Sequence, residues 1–263
     1  MNNINIYERD YLASRAISKG YDLKDLGYDH VYYQNNELIL NDLLNYLYDD
    51  KNILSVLSSA DQVLTFRALG ARCVDTFDFN RLTIYYYYLR KWYIKYMNDL
   101  YPNIYDNNYL KILLSKVIPS DNNEKKALDF YKRHLKDNTN LVKLFYDIDL
   151  QPKGESAFSN AKMASKFVDD KLIFYNLDLF NKDNNINNTY DYIFISNILE
   201  WARDDINKLK IARDNLNKLL NNNGIVLCSK LINNNINREK EIFDNNFIYD
   251  EEDDHKLYTY MKR

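Results

Sequence analysis

Residues 52–66, NILSVLSSADQVLTF, decide how this chain is read. Ile53 to Leu57 form a short apolar run of the kind that makes a buried parallel strand. The run breaks at Ser58-Ser59-Ala60-Asp61, then resumes from Gln62 with a helical spacing of apolar residues. Strand, turn, helix is the opening of an α/β sheet, and the first such turn is where ligands commonly sit. Glycine usually lets the backbone approach a ligand there, and this turn has none.

The alternation continues on both sides. QVLTFRALG is a helix ending at Gly70, and ARCVDTFDF is a second strand with Asp78 in its tail. NRLTIYYYYLRKWYIKYMNDLY predicts a long helix stopping before Pro102. Residues 103–165 interrupt the pattern with helical segments and no convincing strand. KLIFYNLDLF and YDYIFISNIL then predict strands three and four. A helix over DDINKLKIARDNLNKLLNNNG closes at Gly224, and IVLCSKLI follows as strand five. NFIYDEEDDHKLYTYMKR has two alternating runs around an acidic turn, the pattern of an antiparallel hairpin. Residues 1–50 read as mostly helical.

The fold class is therefore α/β: a doubly wound, Rossmann-like sheet with helices on both faces and a C-terminal hairpin. The expected organisation is a helical cap over 1–50, the two halves of the sheet domain over 51–102 and 166–263, and a helical insertion over 103–165.

Composition narrows the function. Of 263 residues, 46% are hydrophobic, enough for a sizeable core, and the net charge of -3 gives no electrostatic reason to bind nucleic acid. No apolar run approaches the roughly 20 residues of a membrane span, and the N-terminus lacks a signal-peptide layout. Cys73 and Cys228 lie in strand-like runs and read as buried thiols in a reducing, cytoplasmic setting. His30, His134 and His255 are far apart, so no metal site is expected. A nicotinamide dehydrogenase fits poorly, because there is no G-x-G-x-x-G.

From strand three to strand five, the order KLIFYNLDLF, YDYIFISNILEW, IARDNLNKLLNNNGIVLCS resembles a class I S-adenosylmethionine-dependent methyltransferase domain. The first half resembles a narrower branch, the 3-amino-3-carboxypropyl transferases that make the first intermediate of betaine lipids. That family has a Ser-x-Gly-Asp loop after strand one, an Asp-x-Asn after strand two and a long helix directly after it. Here these positions hold Ser58-Ser59-Ala60-Asp61 and Asp78-Phe79-Asn80. Tyr32-Tyr33-Gln34 resembles the family's Tyr-Ser-Gln, but Asn35-Asn36-Glu37 stands where an acidic Trp-Glu-Asp-Pro stretch usually follows.

The resemblance implies S-adenosylmethionine as cofactor and a small-molecule or lipid acceptor. Ser58, Ser59, Ala60 and Gln62 would let backbone N–H groups meet the methionine carboxylate, provided the turn needs no positive φ. Asp61 would accept from the ligand ammonium or cap the helix. Asp78, with Phe79 and Asn80 beside it, would take the ribose hydroxyls, or else be a strand-end carboxylate in water. Asp178 would reach the adenine amino group or cap its own turn. Ser196 and Asn197 would face the sulfonium and acceptor, or form a solvated turn. Trp201 would stack on adenine or plug the core. Tyr32, Tyr33 and Gln34 would line the acceptor side. The aromatic stripe Tyr85, Tyr88, Trp92 and Tyr96 suits either a helix packed on the sheet or a peripheral membrane contact. Methyl transfer and aminocarboxypropyl transfer both fit these residues, as does cofactor binding without turnover. No catalytic triad is expected, because a sulfonium is already activated.

Overall fold

A computed structural model describes residues 5–34, 37, 39–146, 156–182, 186–202, 205–229, 236–243, 246–251 and 257–263. Asn35, Asn36, His255 and the end of the predicted fifth strand lie outside the described residues.

Seven strands make one sheet. They are β1 (Asn52–Val56), β2 (Cys73–Asp78), β3 (Phe174–Asn176), β4 (Tyr190–Ser196), β5 (Leu220–Ser229), β6 (Phe247–Glu251) and β7 (Leu257–Lys262). Their spatial order is β3-β2-β1-β4-β5-β7-β6. The first five run parallel, with Ile53 opposite both Val74 and Tyr192, and Ile193 opposite Val226. Strand β7 enters antiparallel between β5 and β6, pairing Tyr260 with Val226 and with Tyr249. This is the expected α/β, Rossmann-like sheet with its C-terminal hairpin. The order reverses between β1 and β4, and the region past the carboxyl ends of these strands is the ligand position of such sheets.

Sequence explains most of the elements. Strand β1 is buried from Ile53 to Val56, as a central parallel strand must be. Helix α1 (Ile6–Ser18) starts on Asn5, whose side chain accepts the Tyr7 N–H. Helix α2 is Asp61–Ala68 and helix α3 is Leu82–Trp92. Helices α4 (Asn107–Lys116) and α5 (Asn122–Lys136) are capped by Asp106 and Asp121. Asp205 caps α6 (Ile206–Leu219), and α7 (Ile236–Phe243) precedes the hairpin. Among the described residues no helix is long and apolar enough to cross a membrane.

Five details depart from the sequence reading. Among the described residues of 1–50, helix is confined to α1, a 3-10 turn at Lys24–Leu26 and a single turn at Leu40–Leu43. Strand β3 is three residues long, because residues 177–182 turn away. Helix α6 stops at Leu219, and Gly224 lies inside β5 rather than closing a helix. A Cβ there would sit 2.9 Å from Leu220 Cδ2 and 3.1 Å from the Tyr190 carbonyl oxygen, so crowding between β5 and β4 explains the glycine. The long helix is α for eleven residues, then winds as a π turn over Tyr93–Met97 and stops at left-handed Asn98. Within 103–165, Phe145–Tyr146 pairs in parallel with Val31–Tyr32, a short bridge where no strand was expected.

Helix α3 is the hub of the core. All its residues but Ile84 are buried, so Tyr85, Tyr88 and Trp92 of the aromatic stripe face the interior, while Tyr96, beyond the helix, is half-buried. Helix α5 packs along it, Val31–Tyr32 lies against it, and α1 reaches it through Asp10, while α4 packs on α5 and on the Tyr93–Met97 turn. Tyr85 stacks on Phe130 of α5 at 4.3 Å, and Trp92 Nε1–H donates to Glu124 Oε1 at 2.6 Å. Fully buried Asp10 of α1 accepts from Tyr28, Arg81 and Tyr85. From the N-terminal segment, the Asp29 carbonyl accepts from Asn80, Glu37 from Ser196 and Ser229, and Asp42 from the Leu257 N–H, all near these strand ends. Cys73 begins β2 half-buried, and Cys228 is buried in β5; both are free thiols.

Candidate active site

The turn after β1 is built from backbone. The Leu57 N–H still donates to Phe77 O at 2.8 Å, extending the pairing with β2. The Ser58 N–H then donates to Asp78 Oδ2 at 3.1 Å, and the Ala60 N–H folds back to Leu57 O at 2.6 Å. To close this way, Ser58 takes φ +42° and Ala60 φ +69°. These are left-handed conformations that cost an L-residue roughly 1–2 kcal/mol. The condition expected from sequence, that no positive φ be needed, is therefore not met. The turn has a glycine-like shape without glycine.

Arg90 holds that shape from below. Its guanidinium is 1% exposed, donates to the Ser59 and Leu100 carbonyls, and pairs with Asp61 Oδ1 at 2.8 Å. Tyr101 donates to the same oxygen at 3.0 Å and lies 4.4 Å from the guanidinium across its ring. Ser59 Oγ donates to Asp61 Oδ2 at 2.7 Å. Burial alone would lower the Arg90 pKa, but the adjacent Asp61 carboxylate raises it overall. Asp61 does not cap α2: the capping position is Ala60, which has no side chain to do so.

Asp78 sits at the carboxyl end of β2, 6% exposed rather than in water. Its Oδ1 accepts the Asn80 N–H at 2.9 Å, and its Oδ2 accepts Ser58. Burial pushes its carboxyl up to about 6, against the pull of these hydrogen bonds. The Thr83 hydroxyl and the Phe79 N–H also lie within hydrogen-bonding reach of the carboxylate. Asn80 ties the strand end to the N-terminal segment, donating to Asp29 O at 2.8 Å and accepting the Leu82 N–H that starts α3. Phe79 between them is half exposed. Beside Phe79 lies a cavity of about 140 Å³ lined by Arg9, Leu26, Gly27, Tyr28 and Arg81, and no residue of the 58–61 turn lines it.

The residue that sequence reasoning missed is Glu37. It is 4% exposed, and donors from three elements converge on it. Gln62 Nε2–H of α2 donates to Oε2 at 2.9 Å, and the Ser196 and Ser229 hydroxyls from the ends of β4 and β5 donate to Oε1. Burial raises its pKa. Ser196 is aimed there by a register shift after Phe194 and by φ +54°. Its neighbour Asn197 lies at the start of the loop after β4. The only signal in the sequence was the single carboxylate of QNNE, where the resembled family is acidic.

The other expected residues fall into two groups. Tyr33 is half-buried in the cover: it donates to Pro102 O and its carbonyl accepts the Tyr86 hydroxyl. Gln34 is buried and Tyr32 half-buried beside it. Asp178 lies past the end of β3 on an exposed turn, where Oδ1 accepts the Phe180 N–H at 2.9 Å. Trp201, in a 3-10 turn over Ile198–Ala202, is 60% exposed and plugs no core.

The sheet order defines the class of fold: a doubly wound, Rossmann-like α/β domain with a C-terminal antiparallel hairpin. N-methyltransferase NodS from Bradyrhizobium japonicum WM9 is 10% identical, with 85% of this chain and 93% of that one covered at a TM-score of 0.41. A TehB-like SAM-dependent methyltransferase from Corynebacterium glutamicum ATCC 13032 Kitasato is also 10% identical, with 85% of each chain covered at 0.42. A ribosomal protein L11 methylase from Lactobacillus delbrueckii subsp. bulgaricus is 12% identical, with 85% and 76% covered at 0.40. Likenesses this distant carry no argument of their own; the strand order does. No protein-family model matches the chain, and no curated protein matches it.

Proposed function

We propose that the protein is an S-adenosylmethionine-dependent group transferase acting on a small-molecule or lipid acceptor. The observation that carries this reading is Asp78: a buried carboxylate at the end of β2, one hydrogen bond from the turn after β1, at the switch point of the sheet. The donor set fits the cofactor. A carboxylate at this strand end is the acceptor that a ribose diol takes, in exchange for donors of its own strand end, and the Ser58 N–H joins it to the turn after β1. Ser196 and Asn197 lie at the end of β4, the strand next to β1.

When bound, S-adenosylmethionine supplies an alkyl carbon activated by a sulfonium, with a neutral thioether to leave. The chain then has to bind, orient and exclude water, because alignment alone is worth up to roughly 7–11 kcal/mol. In this reading the described parts of 1–50 and 103–165 are the cover, and Glu37 stands at the strand ends.

For the group moved, we favour 3-amino-3-carboxypropyl. The motifs that carry the narrower resemblance meet in space: Asn80 bonds the 29–30 backbone, Gln62 bonds Glu37, and Tyr33 takes the Tyr86 hydroxyl of the helix after Asp78-Phe79-Asn80. Methyl transfer is the second reading, supported by the same strand order. Calorimetric titration with S-adenosylmethionine tests the shared premise. One site is expected, weakened about tenfold or more by Asp78→Asn; a wild-type protein that binds nothing would overturn both readings.

A further inference from the structure

We propose that Arg90 is a positioning residue for the cofactor turn, doing through hydrogen bonds what glycine does through conformational freedom. The proposal rests on the reading of Ser58–Asp61 as the cofactor turn. Ser58 and Ala60 both sit at positive φ, so the turn has an intrinsic tendency to relax to another shape. What opposes relaxation is a buried guanidinium whose fork matches three fixed acceptors. These are the Ser59 carbonyl inside the turn, the Asp61 carboxylate at its end and the Leu100 carbonyl outside it. Tyr101 closes the set from above, through its hydroxyl to Asp61 and its ring against the guanidinium. Asp61 is thereby committed to Arg90, Tyr101 and Ser59, which gives it a task as anchor of the turn. Arg90 comes from α3 and Leu100 from beyond it, so the turn's shape is tied to the helix that follows β2. Lysine is a poor replacement, because one ammonium on a flexible stem lacks the planar fork.

The test compares wild type, Arg90→Lys, Ala60→Gly and the double variant. Three quantities are read: amide hydrogen exchange in the ligand-free protein, the Kd for S-adenosylmethionine, and the melting temperature. In Arg90→Lys, amides of residues 57–64 exchange about tenfold faster or more, while those of β5 and α5 keep their protection. The Kd weakens by a similar factor. Adding Ala60→Gly recovers about fivefold of both, because glycine removes the left-handed penalty at that position. Rescue by a residue that adds no contact is an outcome that a merely structural arginine does not give. Unchanged exchange at 57–64, or no rescue by glycine, would overturn the proposal. If the wild type binds no cofactor, the functional reading fails, and the exchange data still decide whether Arg90 holds the turn. Should Arg90→Lys not fold, Tyr101→Phe removes one bond to Asp61 and is expected to move the same amides in the same direction.

Discussion

The carboxylate of Asp78 accepts the backbone N–H of Ser58 at 3.1 Å, so the end of β2 and the turn after β1 form one unit. Anything that changes the charge of Asp78 acts on both. Its carboxyl is pushed up to about 6 by burial, above the 3.8 of an exposed Asp. The sign follows: a raised carboxyl contributes most to stability when protonated, so ligand-free stability from this group falls as pH rises from about 4 to about 6. Ligand binding runs the other way, because a ribose diol needs the carboxylate as acceptor. Affinity for S-adenosylmethionine is expected to rise about tenfold across this range and level off above it. Calorimetry in a pH series checks this, and Asp78→Asn should flatten the profile. A flat wild-type profile would contradict the role.

Glu37 is predicted to matter for stability independently of any ligand. Glu37→Ala leaves the Ser196 and Ser229 hydroxyls and the Gln62 amide without their shared acceptor. The expected cost is about 2–3 kcal/mol, with Glu37→Gln costing less because it keeps one acceptor oxygen. Urea unfolding midpoints give the ranking; an alanine variant as stable as wild type would mean that the convergence on Glu37 is not used.

Trp92 joins α3 to α5 through its indole N–H and the Glu124 carboxylate. Trp92→Phe keeps an aromatic ring but removes the donor and some volume at a fully buried position. A loss of about 2 kcal/mol is expected, with the melting temperature falling by roughly 4–8 °C. Calorimetric melting measures it, and a change within error would show that the bond adds nothing over solvation of Glu124.

His134 predicts acid sensitivity. It is fully buried between Tyr11 and Phe130, with Ser14 Oγ 2.7 Å from Nε2 and no partner on Nδ1 among the described residues. Burial pushes its pKa down to about 4, with nearby Arg133 and Arg15 lowering it further and Asp137 raising it. A base with a depressed folded pKa stabilises the fold fully above its unfolded value, near 6.5, and less as pH falls towards about 4. About 3 kcal/mol is expected to go over that window, and His134→Gln should remove that part of the pH dependence of the urea midpoint.

The sheet was legible because its signals are local. Ile53 to Leu57, Tyr190 to Ser196 and the final hairpin each carry their burial pattern in consecutive residues, and the strand–helix alternation orders them. The site was legible where motif and strand end coincide, as at Asp78. It was not legible where the partner is distant in sequence. Glu37 meets Ser196 and Ser229 across 159 and 192 residues, and nothing near Glu37 in the sequence marks that meeting. Arg90 reads as one more basic residue on a tyrosine-rich helix until the Ser59 carbonyl is seen above it. The positive φ values of Ser58 and Ala60 were hidden for a related reason: neither residue type favours that conformation, and tertiary contacts impose it.

The most direct test of the central claim is mass spectrometry of the purified protein with S-adenosylmethionine, with and without an extract of its source cells. We expect methylthioadenosine above the no-enzyme control, with the aminocarboxypropyl group on an acceptor. S-adenosylhomocysteine in its place would contradict the group assigned and leave a methyltransferase. Neither product, with any extract, would contradict the transferase reading itself.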